Sequence, residues 1–389
     1  MRVSLTDSER ELRAEVREFL DANAPAAADI PVELDQQVDF LRSWQGRLKD
    51  AHLVGLSWPH EYGGRGASLS EQMVANAEMA RARAPQLVGY VGVDVVGPTI
   101  VEHGTEAQKE AHLERILSAE DIWCQGFSEP GAGSDLASLR TRAVADGDDF
   151  RLSGQKVWTS YAQYAQWCAV LARTDPDGPP HRGISYLLVD MSSPGITVSP
   201  LVMSSGEAEF GEVFFDDVLV PRENVLGELN GGWALAMHTL AHERGPYAMT
   251  RQVTLSGLLD RLVDTAREVE REGRPAIECP AVAARLTEAR IAIDVLGHQT
   301  FRSVGKMIVS GEPSVESSAD KIMLGRAEQI LGDVALDVLG PTATLGGDGD
   351  HLIWHQLYLY GRAASVYGGS AEIQRNIIAQ RLLGLPRER

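Results

Sequence analysis

The chain has 389 residues, 44% of them apolar, with 36 basic against 55 acidic side chains and a formal charge of −19. That length allows one to three domains around sizeable cores, while the acidic balance excludes a general affinity for nucleic acid or anionic membrane, which require a basic face. Three widely spaced cysteines, Cys124, Cys168 and Cys279, offer neither a disulfide framework nor metal-ligand spacing and point to a reducing, cytoplasmic setting. No apolar run approaches a membrane span, and no export signal is read at the N-terminus.

Thr6-Asp7-Ser8-Glu9 has capping-box spacing ahead of Leu12, Val16, Phe19 and Leu20, which predicts a first amphipathic helix. A second follows on Val38, Leu41, Trp44 and Leu48, then a loop at Trp58-Pro59 and Gly63-Gly64. Ser68-x-x-Glu71 opens another helix, and two more apolar stretches interrupted by Pro98 and Gly104 run to Ser118. From Trp123 the period changes. A hairpin around Asp146-Gly147-Asp148 and runs at 167–174, 184–191, 196–202 and 211–220, separated by Pro, Gly and Asp clusters, read as strands. After Gly231-Gly232 the helical period returns, with segments from Trp233, over 280–308 and 314–339, and a last helix from Ser370 to Leu382 stopped by Gly384 and Pro386. The predicted class is α+β: an N-terminal helical domain over 1–121, a β-barrel or sandwich over 122–228 and a helical bundle over 229–389.

Chemistry concentrates between Trp123 and Ser160. In Ser128-Glu129-Pro130-Gly131-Ala132-Gly133-Ser134, Pro130 fixes one dihedral while Gly131 and Gly133 permit positive φ and close approach, so that backbone N–H groups can converge on an anion beside Ser134. An ordinary Pro-Gly turn is the competing reading. Neither the dinucleotide fingerprint nor the Walker loop occurs. Trp158 in Lys156-Val157-Trp158-Thr159-Ser160 is either an aromatic platform or a core tryptophan. His52, His103, His351 and His355 share no ligand spacing, and no metal is expected.

Phe127 to Asp135, Lys156 to Ser160, and Tyr367-Gly368-Gly369-Ser370-Ala371-Glu372-Ile373-Gln374-Arg375-Asn376 together resemble the acyl-CoA dehydrogenase family, over essentially the whole chain. The resemblance implies FAD held between the β domain and the C-terminal bundle. Gln125, Phe127, Ser128, Gly133 and Ser134 would lie along the isoalloxazine and pyrophosphate, and Trp158, Thr159 and Ser160 on the flavin's other side. Ser370 and Glu372 would touch FAD at the start of the last helix, where Glu372 has a competing role as a helix-start carboxylate. Ser134, Arg244 and Gly368 would meet the acyl-CoA substrate.

Family chemistry needs a carboxylate over the carbon α to the thioester. Many members keep it in a Tyr-Glu-Gly-Thr motif, where this chain has Gly368. A minority, such as the isovaleryl-CoA dehydrogenases, place it before an Arg in the first C-terminal-domain helix, where this chain has Glu243-Arg244. Three-and-four spacing sets Glu243 on a stripe with Trp233, Ala236, Leu240 and Tyr247, although Glu beside Arg also fits a surface charge pair. Glu243 is thus the expected base, with the Gly368 N–H holding the thioester oxygen.

The Arg-x-x-Phe-Gly and Gln-x-x-Gly-Gly stretches that many members use toward a neighbour's FAD are absent, Thr250-Arg251-Gln252-Val253 and Asp337-Val338-Leu339-Gly340-Pro341 standing in their places. In this the chain is similar to bacterial dehydrogenases for sterol side chains and other bulky acyl-CoAs. The implied partners are an acyl-CoA, an electron-transferring flavoprotein and either further copies, as a homotetramer or dimer, or a different subunit in a heterotetramer. A related flavoenzyme acting on a carrier-protein or non-thioester substrate, and a non-catalytic subunit, are the alternatives.

Overall fold

The computed structural model describes residues 4–31, 33–242, 244–311, 314–344 and 350–386. The helices of the first third are α1 (Asp7–Asn23), α2 (Leu34–Asp50), α3 (Leu69–Arg81), α4 (Gly97–His103) and α5 (Glu106–Leu117). The predicted capping box closes α1: Thr6 Oγ1 accepts from the Glu9 N–H at 3.1 Å, and Glu9 accepts from the Thr6 N–H at 2.7 Å. Thr105 and Gln108 build a second box on α5. Pro98 sits in the first turn of α4, where its missing N–H removes no helical bond. A π-helical turn, Val91–Val96, leads into it.

Eight strands follow: β1 (Trp123–Gly126), β2 (Arg142–Asp146), β3 (Asp149–Ser160), β4 (Trp167–Arg173), β5 (Ile184–Asp190), β6 (Ile196–Leu201), β7 (Phe210–Val220) and β8 (Val225–Leu226). They form one sheet in the order β6-β7-β3-β2-β4-β5-β8, with β1 alongside β4. The hairpin at Gly147, φ 64°, joins β2 to β3 as expected. The β1–β4 pairing is parallel and sets Cys124 against Cys168. Both thiols are buried and free, and burial raises that of Cys124, so they act as small apolar groups within the cluster of Phe150, Leu152, Val170, Leu187 and Phe215.

The remaining helices are α6 (Gly232–His242), α7 (Arg244–Glu268), α8 (Pro280–Ser310), α9 (Ser317–Leu339), α10 (Asp350–Gly361) and α11 (Ala371–Ile377). α11 runs on into a π-type turn over Ile378–Leu382. α10 is absent from the sequence expectation. Apart from Trp354 and Gly361, its side chains between 352 and 361 are half-buried all round, which leaves no apolar stripe to read.

Contacts divide the chain into two compact units. The first comprises residues 1–24, 69–84 and 244–389, so that α1 and α3 belong with α7 to α11. Leu255, Leu259, Ile293, Leu296, Leu331, Val338 and Trp354 are central to its core. The second comprises residues 25–68 and 85–243, with α2, α4, α5, the sheet and α6. No helix among the described residues is long and apolar enough to cross a membrane.

Candidate functional site

In the second unit, β3 departs from its register with β7 where Lys156 faces Val213 and Thr159 faces Gly211. The extra residue in β3 bulges the strand and re-aims its side chains. Trp158 lies in this bulge with φ 59° and is 62% exposed, meeting only the edge of Phe210 among the described aromatic rings, at 6.0 Å between centroids. A bulky aromatic in the left-handed region and in solvent is doubly disfavoured, a combination that marks functional sites. Next to it Thr159 is fully buried, and its Oγ1 finds no hydrogen-bond partner among the described residues. The same is true of the buried Nε2 of Gln125 on β1. Each orphaned buried group costs about 1–3 kcal/mol. Ser160, half-buried, ends the strand.

The segment leaving β1 runs along β3, the Val157 N–H donating to the Ser128 carbonyl at 2.9 Å. The Phe127 ring packs edge-on against Tyr186 at 5.7 Å and is taken up by the core, so only its backbone can face a ligand. Glu129 organises the turn. Its N–H and carbonyl exchange hydrogen bonds with Ala132, each at 3.0 Å, while its carboxylate accepts from the Arg140 N–H at 2.7 Å and the Thr141 N–H at 2.9 Å. The fully buried Lys156 ammonium reaches the same carboxylate at 2.8 Å and the Phe127 carbonyl at 3.1 Å. Burial pushes the Glu129 carboxyl up, but the Lys156 charge and the donors at Arg140 and Thr141 outweigh it and hold the group below the usual carboxylate range. Burial likewise lowers Lys156, against the pull of Glu129.

The expected use of left-handed glycine in this turn is wrong. Neither Gly131 nor Gly133 has positive φ, and a Cβ on either would meet nothing within 4 Å. The turn is closed by the Glu129 carboxylate and the Glu129–Ala132 bridge, leaving Gly131 and Gly133 exposed and uncrowded and Ser134 exposed. Glu129 and Lys156 were not among the expected site residues. Their only signal in sequence is a lysine in an otherwise β-forming run.

In the first unit, Gly368 and Gly369 both have positive φ, 61° and 88°, and lead into α11. The Ser370 hydroxyl caps that helix, accepting from the Ile373 N–H at 3.3 Å, while Glu372 is exposed and pairs with Arg375 at 3.2 Å. A Cβ at Gly368 would meet only Lys321 Cε, at 3.7 Å. Beside this turn, Tyr367 donates to Glu328 Oε2 at 3.2 Å and Arg251 Nε to Glu328 Oε1 at 2.9 Å, with Lys321 donating to the Ala364 carbonyl at 2.6 Å. Arg251, the residue standing where the family's Arg-x-x-Phe-Gly stretch is missing, is thus turned onto a buried glutamate of its own chain.

Glu243 lies outside the described residues. Of the stripe expected around it, Ala236 is buried, Trp233 and Leu240 are half-buried, and Tyr247 is 39% exposed. Arg244 opens α7.

Family descriptions match nearly end to end: acyl-CoA dehydrogenase N-terminal domain over residues 6–120, middle domain over 124–218 and C-terminal domain over 230–383. The chain belongs to the acyl-CoA dehydrogenase family. It is therefore an oxidoreductase with the expected α+β fold. Acyl-CoA dehydrogenase IpdE1 of Mycobacterium tuberculosis is 42% identical over 97% of this chain and 98% of its own length. Acyl-CoA dehydrogenase FadE26 of the same organism is 33% identical over 100% and 99%. Among solved structures, the Tcur3481-Tcur3483 steroid ACAD superposes with a TM-score of 0.88 at 32% identity, covering all of both chains. The ChsE4-ChsE5 complex from Mycobacterium tuberculosis gives 0.85, also at 32% and over all of both chains.

Proposed function

We propose that this acyl-CoA dehydrogenase carries out FAD-dependent α,β-dehydrogenation of a bulky acyl-CoA thioester, with Glu243 as the base. The observation that carries the reading is the bulge near the end of β3: Trp158 strained and exposed beside the orphaned buried polar atoms of Thr159 and Gln125. A flavin needs an apolar face and hydrogen bonds at its ring edge, and these residues suit both needs. Trp158, Thr159, Ser160 and Gln125, with the backbone of Phe127 and Ser128, would hold the ring system. Gly133 and Ser134 would meet phosphates, and Ser370 and Glu372 would add contacts from the last helix. When bound, FAD supplies the two-electron acceptor for the hydrogen leaving Cβ.

The chain's own task is the other half of the elimination. Glu243 accepts the proton from Cα, the Gly368 N–H donates to the thioester oxygen as charge builds there, and Arg244 and Ser134 contact the substrate. Glycine at 368 removes the side chain that many members place there and leaves room for a wide acyl group. The likeness to a structure described as a steroid ACAD supports a ring-bearing substrate. The proposed electron acceptor is an electron-transferring flavoprotein, and the proposed site of action is the cytoplasm. The proposed assembly is a tetramer, homomeric or with a second dehydrogenase subunit, the latter supported by the likeness to the ChsE4-ChsE5 complex. The domain limits 1–121, 122–228 and 229–389 are proposed with it.

Anaerobic titration of the purified chain with a panel of acyl-CoAs, straight, branched and ring-bearing, tests the reading. A yellow protein bleached by a ring-bearing thioester supports it. A yellow protein that no CoA ester bleaches moves the substrate to another carrier, and a colourless one makes the chain a non-catalytic subunit.

A further inference from the structure

α4 ends on Glu102 and His103, and α6 brings His238 to the same place, all within the second unit. His238 Nε2 lies 2.8 Å from one carboxylate oxygen of Glu102, and His103 Nε2 lies 3.8 Å from the other. The two imidazole rings meet edge to face, 5.2 Å apart. All three potential ligand atoms fall within 4.8 Å of one another. Beneath them the two helices are pinned by a buried hydrogen bond of 2.8 Å between the hydroxyls of Thr99 and Thr239, the latter adjacent to His238. With the Thr99 proton donated to Thr239, the Thr239 hydroxyl donates in turn to the Leu235 carbonyl of its own segment at 2.8 Å. The backbones that present the ligands are therefore fixed, and the side chains are half-buried to exposed, 26% to 55%.

We propose that Glu102, His103 and His238 form a binding site for a divalent transition-metal ion of the zinc class. Two imidazoles and one carboxylate are the ligand set of open zinc sites, with a fourth position for water. Bond lengths of about 2.0–2.2 Å in a tetrahedron put neighbouring ligand atoms roughly 3.3 Å apart. The two observed separations from Glu102 bracket that distance, and small side-chain rotations at Glu102 and His103 close the rest. A hydrogen bond from His238 to Glu102 is the competing account. It explains one imidazole, and leaves unexplained why a second faces the other oxygen of the same carboxylate. An ion here would fasten α4 to α6, whose last residue, His242, directly precedes Glu243. The site stands whether or not the proposed reaction does.

The test is a Zn²⁺ titration of untagged, chelator-stripped protein in competition with a chromogenic chelator. One equivalent should bind per chain, and Glu102→Gln and His238→Ala should each weaken that binding at least about tenfold. Co²⁺ in place of Zn²⁺ should give a visible ligand-field spectrum that His103→Ala alters. Circular dichroism checks each variant, and the exposed Glu102→Gln serves if His238→Ala unfolds. No equivalent bound by the native chain, or binding unchanged in the variants, overturns the proposal.

Discussion

The Lys156 ammonium sits 2.8 Å from the Glu129 carboxylate, one side chain fully buried and the other 8% exposed, and this contact ties β3 to the turn after β1. A buried pair of this kind matters less for its net energy than for what happens when one partner is removed. Lys156→Met would leave the Glu129 charge desolvated with only two backbone donors. The expected loss is about 3–5 kcal/mol of unfolding free energy, read by urea denaturation. Retention of bound flavin should fall with it, because the same carboxylate closes the turn ahead of Gly133 and Ser134.

Trp158→Gly should separate stability from flavin binding. A left-handed φ costs a non-glycine residue about 1–2 kcal/mol, partly offset by the greater chain entropy that glycine loses on folding. Since the ring is largely exposed, little packing is lost. The apoprotein is expected to be as stable as the parent or more so by up to about 1 kcal/mol, while visible flavin absorbance per mole of purified protein drops sharply. A marked fall in apoprotein stability would show that the tryptophan is structural.

Glu243→Gln should keep the flavin yet slow its reduction by substrate roughly 100-fold or more, measured by anaerobic stopped-flow absorbance. Near-normal reduction would remove Glu243 from the role of base.

Glu209 gives a pH signature of stability. Burial, with Glu207 adding to it, pushes its carboxyl up to about 7. The native chain then holds a proton that the unfolded chain has released, so stability is fully present below the ordinary carboxylate range and is lost as pH rises toward 7. Glu209→Gln carries no such charge. Its stability relative to the parent should grow between roughly pH 5 and pH 8, as followed by thermal melts across that range.

Periodicity carries the sheet and most helices because their signals are local. β2 to β7 announce themselves through β-branched runs cut by Gly, Pro and Asp, and α1 through a box that Thr6 and Glu9 complete alone. α10 escapes because burial all round leaves it no polar face. The motifs around Gln125 and Trp158 fall side by side on β1 and β3, as their spacing in a hairpin-bearing segment allows. What holds them, Lys156 on Glu129, is a pairing between β3 and the turn after β1, and Arg251 on Glu328 joins two helices far apart in the chain. Neither has a period to betray it. The glycines of the turn misled for a related reason: permission to adopt positive φ is not a requirement, and here a carboxylate closes the turn instead.

The membership of α1 and α3 in the unit built mainly from residues beyond 244 bears on how the polypeptide acquires its fold during synthesis. α1 packs on α3, and α3 in turn on α7, so this pair leaves the ribosome long before α7 is translated and must wait for it. The second unit, apart from residues 25–68, is contiguous and can condense in the interval. Nascent chains stalled before α7 would thus carry a completed sheet and an α1–α3 pair whose α7-facing side is uncovered, the kind of surface that chaperones hold.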